Sequence, residues 1–222
     1  MQLLLCVLPG MEMGASCRLT AWVVEDSSGK VEITCIGDTM DIVSPDGLSL
    51  WYKERLTGNY EITYRVQVVV ENGSYDRLSD LNCFWGADDP RHPDDFFARS
   101  AWRNGEFKNY NTLDLYYVGY GGNDNGTTRF REYHGEYYGV DDAKIKTHLE
   151  RVYRCRPPLK PNHWYEVKIR VGEWSTTYAM DGEELFSLPV ADGKGDGYFA
   201  LRLWQNHVRF ADFQVANIDN LK

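Results

Sequence analysis

Between Tyr60 and Val68 the side chains alternate without a break. Tyr60, Ile62, Tyr64, Val66 and Val68 are apolar or aromatic, and Glu61, Thr63, Arg65 and Gln67 between them are polar. A period of two marks a strand with one buried face, because successive side chains leave opposite sides of a pleated chain. The pattern returns at Val31–Cys35 and at Val167, Ile169 and Val171 set against Lys168 and Arg170. Asp181-Gly182 has the composition of a two-residue hairpin joining 174–180 to 183–186. Strands are also expected over 198–204 and 207–215, linked by a tight turn at Gln205-Asn206. Helix signals are few. One helix is expected over 141–153, with acids first and bases later as the helix dipole prefers, stopped by Pro157-Pro158. Residues 88–109, with Pro90, Pro93 and Phe96-Phe97, read as an elaborate loop holding a helical turn and lying over the strands. No repeat or linker divides the chain. The expected fold is all-β, a two-sheet antiparallel β-sandwich or jelly roll over 16–222, with one short helix, the long overlying loop and a groove on a concave sheet.

Composition narrows the function classes. Aromatic residues reach 14%, including seven Trp and fifteen Tyr. Such rings fill sheet cores and also provide flat, polar-edged surfaces for recognition. A net charge of -9 repels phosphate backbones, so no nucleic-acid partner is expected. No stretch has the apolar length of a membrane span. Residues 1–15 begin with the apolar run Leu3 to Leu8 and reach small residues at Gly14-Ala15-Ser16, which suggests a secretory signal peptide without its basic start. A periplasmic or secreted location follows from that reading. Removal after Ala15 would leave Cys17, Cys35, Cys83 and Cys155, for which three pairings are open; Cys83, inside an apolar run, reads as a buried thiol.

Three stretches carry candidate chemistry. In 116–131 two strands flank a Gly/Asn loop. Thr127, Arg129 and Arg131 share one face of the second strand, a cationic stripe suited to carboxylate or sulfate, with Asn123 in the loop. Tyr120, just before the glycines, is a candidate for stacking on a sugar or for proton transfer. In 74–85 Asp76, Arg77 and Asp80 suit a salt-bridged corner, while Asn82, sharing a face with Asp80, suits the reading of sugar hydroxyls. In 202–207 Arg202 and Trp204 share a face opposite Phe199, Leu201 and Leu203, with His207 close by. His134, near Tyr133, Tyr137 and Tyr138, is a second candidate base. No cofactor is called for. Structural calcium at Asp38, Asp41 or Asp212 is a possibility of the fold type. The Glu-x-Asp-x-x-Glu pattern of retaining glucanases is absent, as are the serine-hydrolase elbow, the phosphate loop and the His-Glu-x-x-His helix.

Trp51-Tyr52-Lys53, the run from Ser79 to Trp85, the run from Tyr117 to Asn123 and Thr127–Arg131 resemble an uncharacterised bacterial family of concanavalin A-like jelly-roll proteins. The resemblance runs from about Thr20 to Val215. It implies the lectin/glucanase type of fold and a setting of polysaccharide degradation, and it carries no catalytic residues to transfer.

The function expected from these residues is that of a carbohydrate-active protein whose partner is a polysaccharide or oligosaccharide. A lyase acting on a uronic-acid polymer needs a cation for the carboxylate, a base for the C5 proton and an acid for the leaving oxygen. Arg129, Arg131 and Arg202, with Asn82, suit the first task; Tyr120 or Tyr138 with His207 or His134 suit the proton transfers. The alternatives are a lectin-like protein binding in the same groove, with Asn123, Arg131 and Trp204 as contacts, and a glycoside hydrolase whose acids the sequence does not pair.

Overall fold

The computed structural model describes residues 17–152, 157–190 and 194–219. Within them twelve antiparallel strands make one sheet folded back on itself: β1 (Trp22–Asp26), β2 (Glu32–Ile36), β3 (Thr39–Tyr52), β4 (Tyr60–Val68), β5 (Leu81–Asp88), β6 (Asp114–Gly121), β7 (Thr127–Tyr133), β8 (Lys146–Val152), β9 (Tyr165–Val171), β10 (Ser175–Met180), β11 (Glu183–Pro189) and β12 (Tyr198–Asn217). The two longest strands create the fold-back. β3 pairs with β2 over residues 39–43 and with β1 over 48–52. β12 pairs with β5 near its start and with β4 near its end, and lies against β3 through both stretches. The front half therefore runs β1-β3-β12-β5-β6-β7-β8, and the back half β2-β3-β12-β4-β9-β10-β11.

The expected hairpin at Gln205-Asn206 is instead a β-bulge within continuous β12. The register shifts between Trp204 and Asn206, and Gln205 has a φ of 48°. Pairing with β3 continues on both sides of the bulge, so the chain bends without reversing. The extra residue also changes which parity points inward, from Phe199, Leu201 and Leu203 before the bulge to Val208 and Phe210 after it. One strand thereby lines the core in both halves.

The expected helix over 141–153 is also replaced. A single 3-10 turn, Asp142–Lys144, leads into β8, which pairs with β7. The order of acids and bases suited a helix, but β7 offers an open row of backbone donors and acceptors. Satisfying those groups overrides weak helix propensity. Residues 153–156, with Cys155, and the proposed leader at 1–15 lie outside the described residues.

Apolar side chains fill the space between the halves. Trp85 is fully buried, stacked on Phe130 at 5.7 Å between ring centroids, and its indole N–H donates to Thr176 Oγ1 at 2.9 Å. Cys83 is buried as expected, and Cys17 and Cys35 are buried thiols as well. A second cluster lies on the outer face of the front half. There Trp51, Phe84, Tyr117 and Tyr133 pack with Phe96 and Tyr110 of residues 89–113, the overlying segment that the sequence suggests. It holds α1 (Ser100–Arg103) between two 3-10 turns. The segment is anchored by Glu25, whose buried carboxylate accepts from Arg103 Nε at 3.0 Å, Trp51 Nε1 at 3.0 Å and Tyr110 Oη at 2.7 Å. Among the described residues no helix is long and apolar enough to cross a membrane.

Candidate functional site

The overlying segment covers only part of the front face. Beside it the outward side chains of β12, β5, β6 and β7 remain open and form a groove with two adjoining parts, of about 390 Å³ and about 260 Å³. Asp80, Phe107, Tyr117 and Trp204 line both parts. This size matches the usual range of small-molecule sites.

Alternation places the polar residues there. On β7, Thr128 and Phe130 are buried inward, so Arg129 and Arg131 point into the groove. On β12, inward Leu201 and Leu203 leave Arg202 and Trp204 outward. On β5, Leu81 and Cys83 face the core and Asn82 faces out. Asn123 and Thr127 close one end, where Asn123 Nδ2 donates to Thr127 Oγ1 at 3.1 Å. Asn123, Asp124 and Asn125 all have φ between 53° and 62° there, a tight left-handed turn that short polar side chains tolerate. The structure therefore gathers Asn82, Asn123, Arg129, Arg131, Arg202 and Trp204 around one groove.

Four other candidates lie elsewhere. Tyr120 is on the inward face of β6, fully buried in the core, and its phenol donates to the Pro157 carbonyl. It precedes the glycines in sequence, but it has the parity of Tyr116 and Val118. His207 is held between two carboxylates, Asp76 Oδ1 at 3.0 Å and Asp41 Oδ1 at 2.7 Å, away from the groove lining. His134 follows Glu132 on the inward side of β7, with Thr147 Oγ1 at 3.2 Å and Lys194 Nζ at 3.3 Å. Tyr138 sits in the loop before β8, where Arg91 lies 5.4 Å from its ring centroid. The placement of these four departs from the arrangement expected for proton transfer beside the arginines. Of the carboxylates considered for calcium, Asp41 is engaged by His207 and Arg209, and Asp212 by Arg65.

The phenol that does line the groove is Tyr117, which sequence reasoning passed over. Its position depends on Gly119, two residues on and on the same face. A Cβ at Gly119 would lie 2.4 Å from Tyr117 Oη, so glycine leaves the space the phenol fills. The parity shared with Gly119 was the available signal, but nothing local says which parity faces the groove. Burial pushes the Tyr117 phenol well above its ordinary pKa, with Tyr133 and Asp80 adding to the effect and Arg131 and Arg202 opposing it. It therefore stays protonated at neutral pH. Phe107, from the overlying segment, is a second lining residue that the sequence did not single out.

Cations surround these rings. Arg202 is 3% exposed, donates through Nη1 to the Gly105 carbonyl at 2.6 Å, and lies 5.3 Å from the Phe107 centroid. Arg131 lies 5.8 Å from the Tyr117 centroid. Lys146, on β8, approaches the Phe107 and Tyr133 rings at 5.2 Å and 4.9 Å, and burial together with Arg131 lowers its pKa to about 8. Among the described residues, no carboxylate forms an ion pair with Arg131 or Arg202. The groove's own acids are engaged: Arg77 bridges Asp80 at 2.5 Å and Asp124 at 3.1 Å, which bears out the salt-bridged corner for Arg77. Arg77 also covers one face of Trp204 at 4.7 Å, while the indole N–H donates to Asp46 at 3.1 Å. Trp204 is thereby fixed in place and still 44% exposed. Asn82 is 5% exposed; its Nδ2 donates to Asp80 Oδ1 at 3.2 Å, and among the described residues its buried Oδ1 has no hydrogen-bond partner.

Comparison with known proteins places this fold in context. A carbohydrate-binding module, CBM66 from Bacillus subtilis, is 10% identical with a TM-score of 0.55, the match covering 89% of this chain and 96% of that one. A Bacillus subtilis protein of unknown function with a galectin-like fold is 14% identical with a TM-score of 0.67, covering 90% of each chain. A Bacillus licheniformis beta-glucanase is 10% identical with a TM-score of 0.53, covering 86% of this chain and 83% of the enzyme. At such identities the likeness establishes the jelly-roll fold alone. No curated protein matches the sequence. The chain belongs to the family described as a domain of unknown function (DUF6250), whose model matches residues 42–213.

Proposed function

We propose that in this member of the family the front-face groove binds an acidic polysaccharide or oligosaccharide. The observation that carries the reading is the unmet bonding capacity of the groove. Among the described residues, Asn82 Oδ1 is buried without a hydrogen-bond partner beside Arg202, and neither Arg202 nor Arg131 of the same groove has a carboxylate partner. A buried acceptor left alone costs about 1–3 kcal/mol, so a donor supplied by a ligand recovers that amount. A sugar hydroxyl donating to Asn82, an anionic substituent on the guanidinium groups and a pyranose face on Trp204 would together satisfy the site. The carbohydrate-binding module and the beta-glucanase that share the fold support a carbohydrate as the ligand.

A second reading, β-elimination on a uronic-acid polymer, is favoured by the position of Tyr117. Its protonated phenol lies in the same groove as the cations that would neutralise a uronate carboxylate. In such a step the C5 proton leaves to a base, the C4–O bond breaks, and the phenol protonates the departing oxygen. Two-carboxylate hydrolysis has less support, since Asp80 and Asp124 share the Arg77 guanidinium.

The test is retention of the purified protein in gels loaded with polygalacturonate, alginate or a neutral glucan, together with ultraviolet absorbance from unsaturated products. Retention by an acidic polymer that is lost in Arg131→Gln supports the binding reading. Equal retention by the neutral glucan overturns it. Absorbance that vanishes in Tyr117→Phe while retention persists adds the elimination step.

A further inference from the structure

Cys17 lies two residues before the short turn Leu19–Ala21 that leads into β1, and Cys35 lies on β2. These two strands are the neighbouring edges of the two halves: β1 flanks β3 in the front half, and β2 flanks β3 in the back half. Both thiols belong to the main core, with Cys17 at 0% and Cys35 at 8% exposure. Cys35 Sγ reaches the Cys17 carbonyl at 3.5 Å. The remaining described thiol, Cys83, lies on β5 against Tyr64.

We propose that Cys17 and Cys35 form a disulfide that joins the β1 and β2 edges of the sandwich when the chain meets a disulfide oxidant such as glutathione disulfide. The Cys35 thiolate attacks one glutathione sulfur, forming a mixed disulfide and releasing one glutathione, which takes up a proton. Cys17 then loses its proton and attacks the Cys35 sulfur, and the second glutathione leaves. Two thiols are oxidised by two electrons, and one glutathione disulfide is reduced to two glutathiones. The order of attack follows from the closeness of the two side chains: Cys17 holds the Cys35 pKa below its ordinary value, while Cys35 and burial raise that of Cys17. The bond would tie Cys17 to β2, adding to the hydrogen bonds that hold the neighbouring residues to the end of β3, Lys53 N to the Ala21 carbonyl at 2.9 Å and Lys53 Nζ to the Thr20 carbonyl at 2.7 Å.

The experiment refolds the full chain from its reduced, denatured state in a glutathione redox buffer, alkylates free thiols and digests it with trypsin without reduction. The expected product is the peptide 1–18 linked to the peptide 31–53, absent from the Cys17→Ser variant, so that Cys6 in the first peptide is not the partner. Reductant should lower the thermal midpoint of the oxidised wild type by about 5–10 °C, as expected for a closed loop of this length. It should leave Cys35→Ser unchanged. Finding Cys17 and Cys35 both alkylated, or Cys35 linked to another cysteine, overturns the proposal.

Discussion

Replacing Glu25 with glutamine tests whether one buried carboxylate holds the groove's wall in place. Glu25 is 2% exposed and accepts from Arg103, Trp51 and Tyr110, all at 3.0 Å or less. In Glu25→Gln the Arg103 guanidinium stays fully buried, and its next carboxylate, Asp89, is 3.8 Å away. Leaving a buried charge without its partner costs about 3–5 kcal/mol. At about 2–4 °C per kcal/mol for a domain of this size, the thermal midpoint should fall by about 6–20 °C. Urea unfolding should show a lower midpoint with an unchanged slope, since the surface exposed on unfolding is the same. Retention by an acidic glycan should weaken as well, because residues 89–113 supply both Phe107 and the Gly105 carbonyl that holds Arg202. Adding Arg103→Met removes the stranded charge and should recover more than half of the lost stability. A Glu25→Gln variant within about 1 kcal/mol of wild type, or a double variant less stable than the single one, would refute this role for Glu25.

Other residues give equally direct tests. Glycan retention should weaken as pH rises through about 8, where Lys146 loses the proton that burial and Arg131 already disfavour; Lys146→Gln should flatten that profile in the same gels. Burial raises the Asp114 carboxyl to about 6, with Glu136 adding to the shift, so between about 4 and 6 the folded state binds more protons than the unfolded state. Stability should therefore fall as pH rises through about 6. Asp114→Asn, which keeps an oxygen for the Gly135 N–H, should remove that slope and gain about 1–2 kcal/mol at pH 8 in urea titrations. Gly119→Ala should displace the Tyr117 phenol and cost about 1–3 kcal/mol of stability, and any elimination activity should fall further than retention does.

The strand pattern and the site were legible to different degrees. Alternation in 60–68 and 165–171, and the Asp181-Gly182 hairpin, follow from side-chain period and turn chemistry, which are local properties. The shared face of Arg129 with Arg131, and of Arg202 with Trp204, is local in the same sense, and all four line the groove. Local reading failed where a partner strand decided the outcome. Residues 146–152 became a strand because β7 needed a neighbour, and Gln205 became a bulge because β3 pairs on both sides of it. It failed again at the phenol. Tyr117 and Tyr120 differ only in parity, and parity acquires an inside and an outside only when β6 is placed between β5 and β7. Glu25 and Arg103, which hold the groove wall, are 78 residues apart and meet only in the folded chain. The sequence by itself determined that this chain is built of strands and which side chains travel together on a face. Which face became the groove was decided by the tertiary structure, because a period of two defines two equivalent sides until pairing and burial make them different.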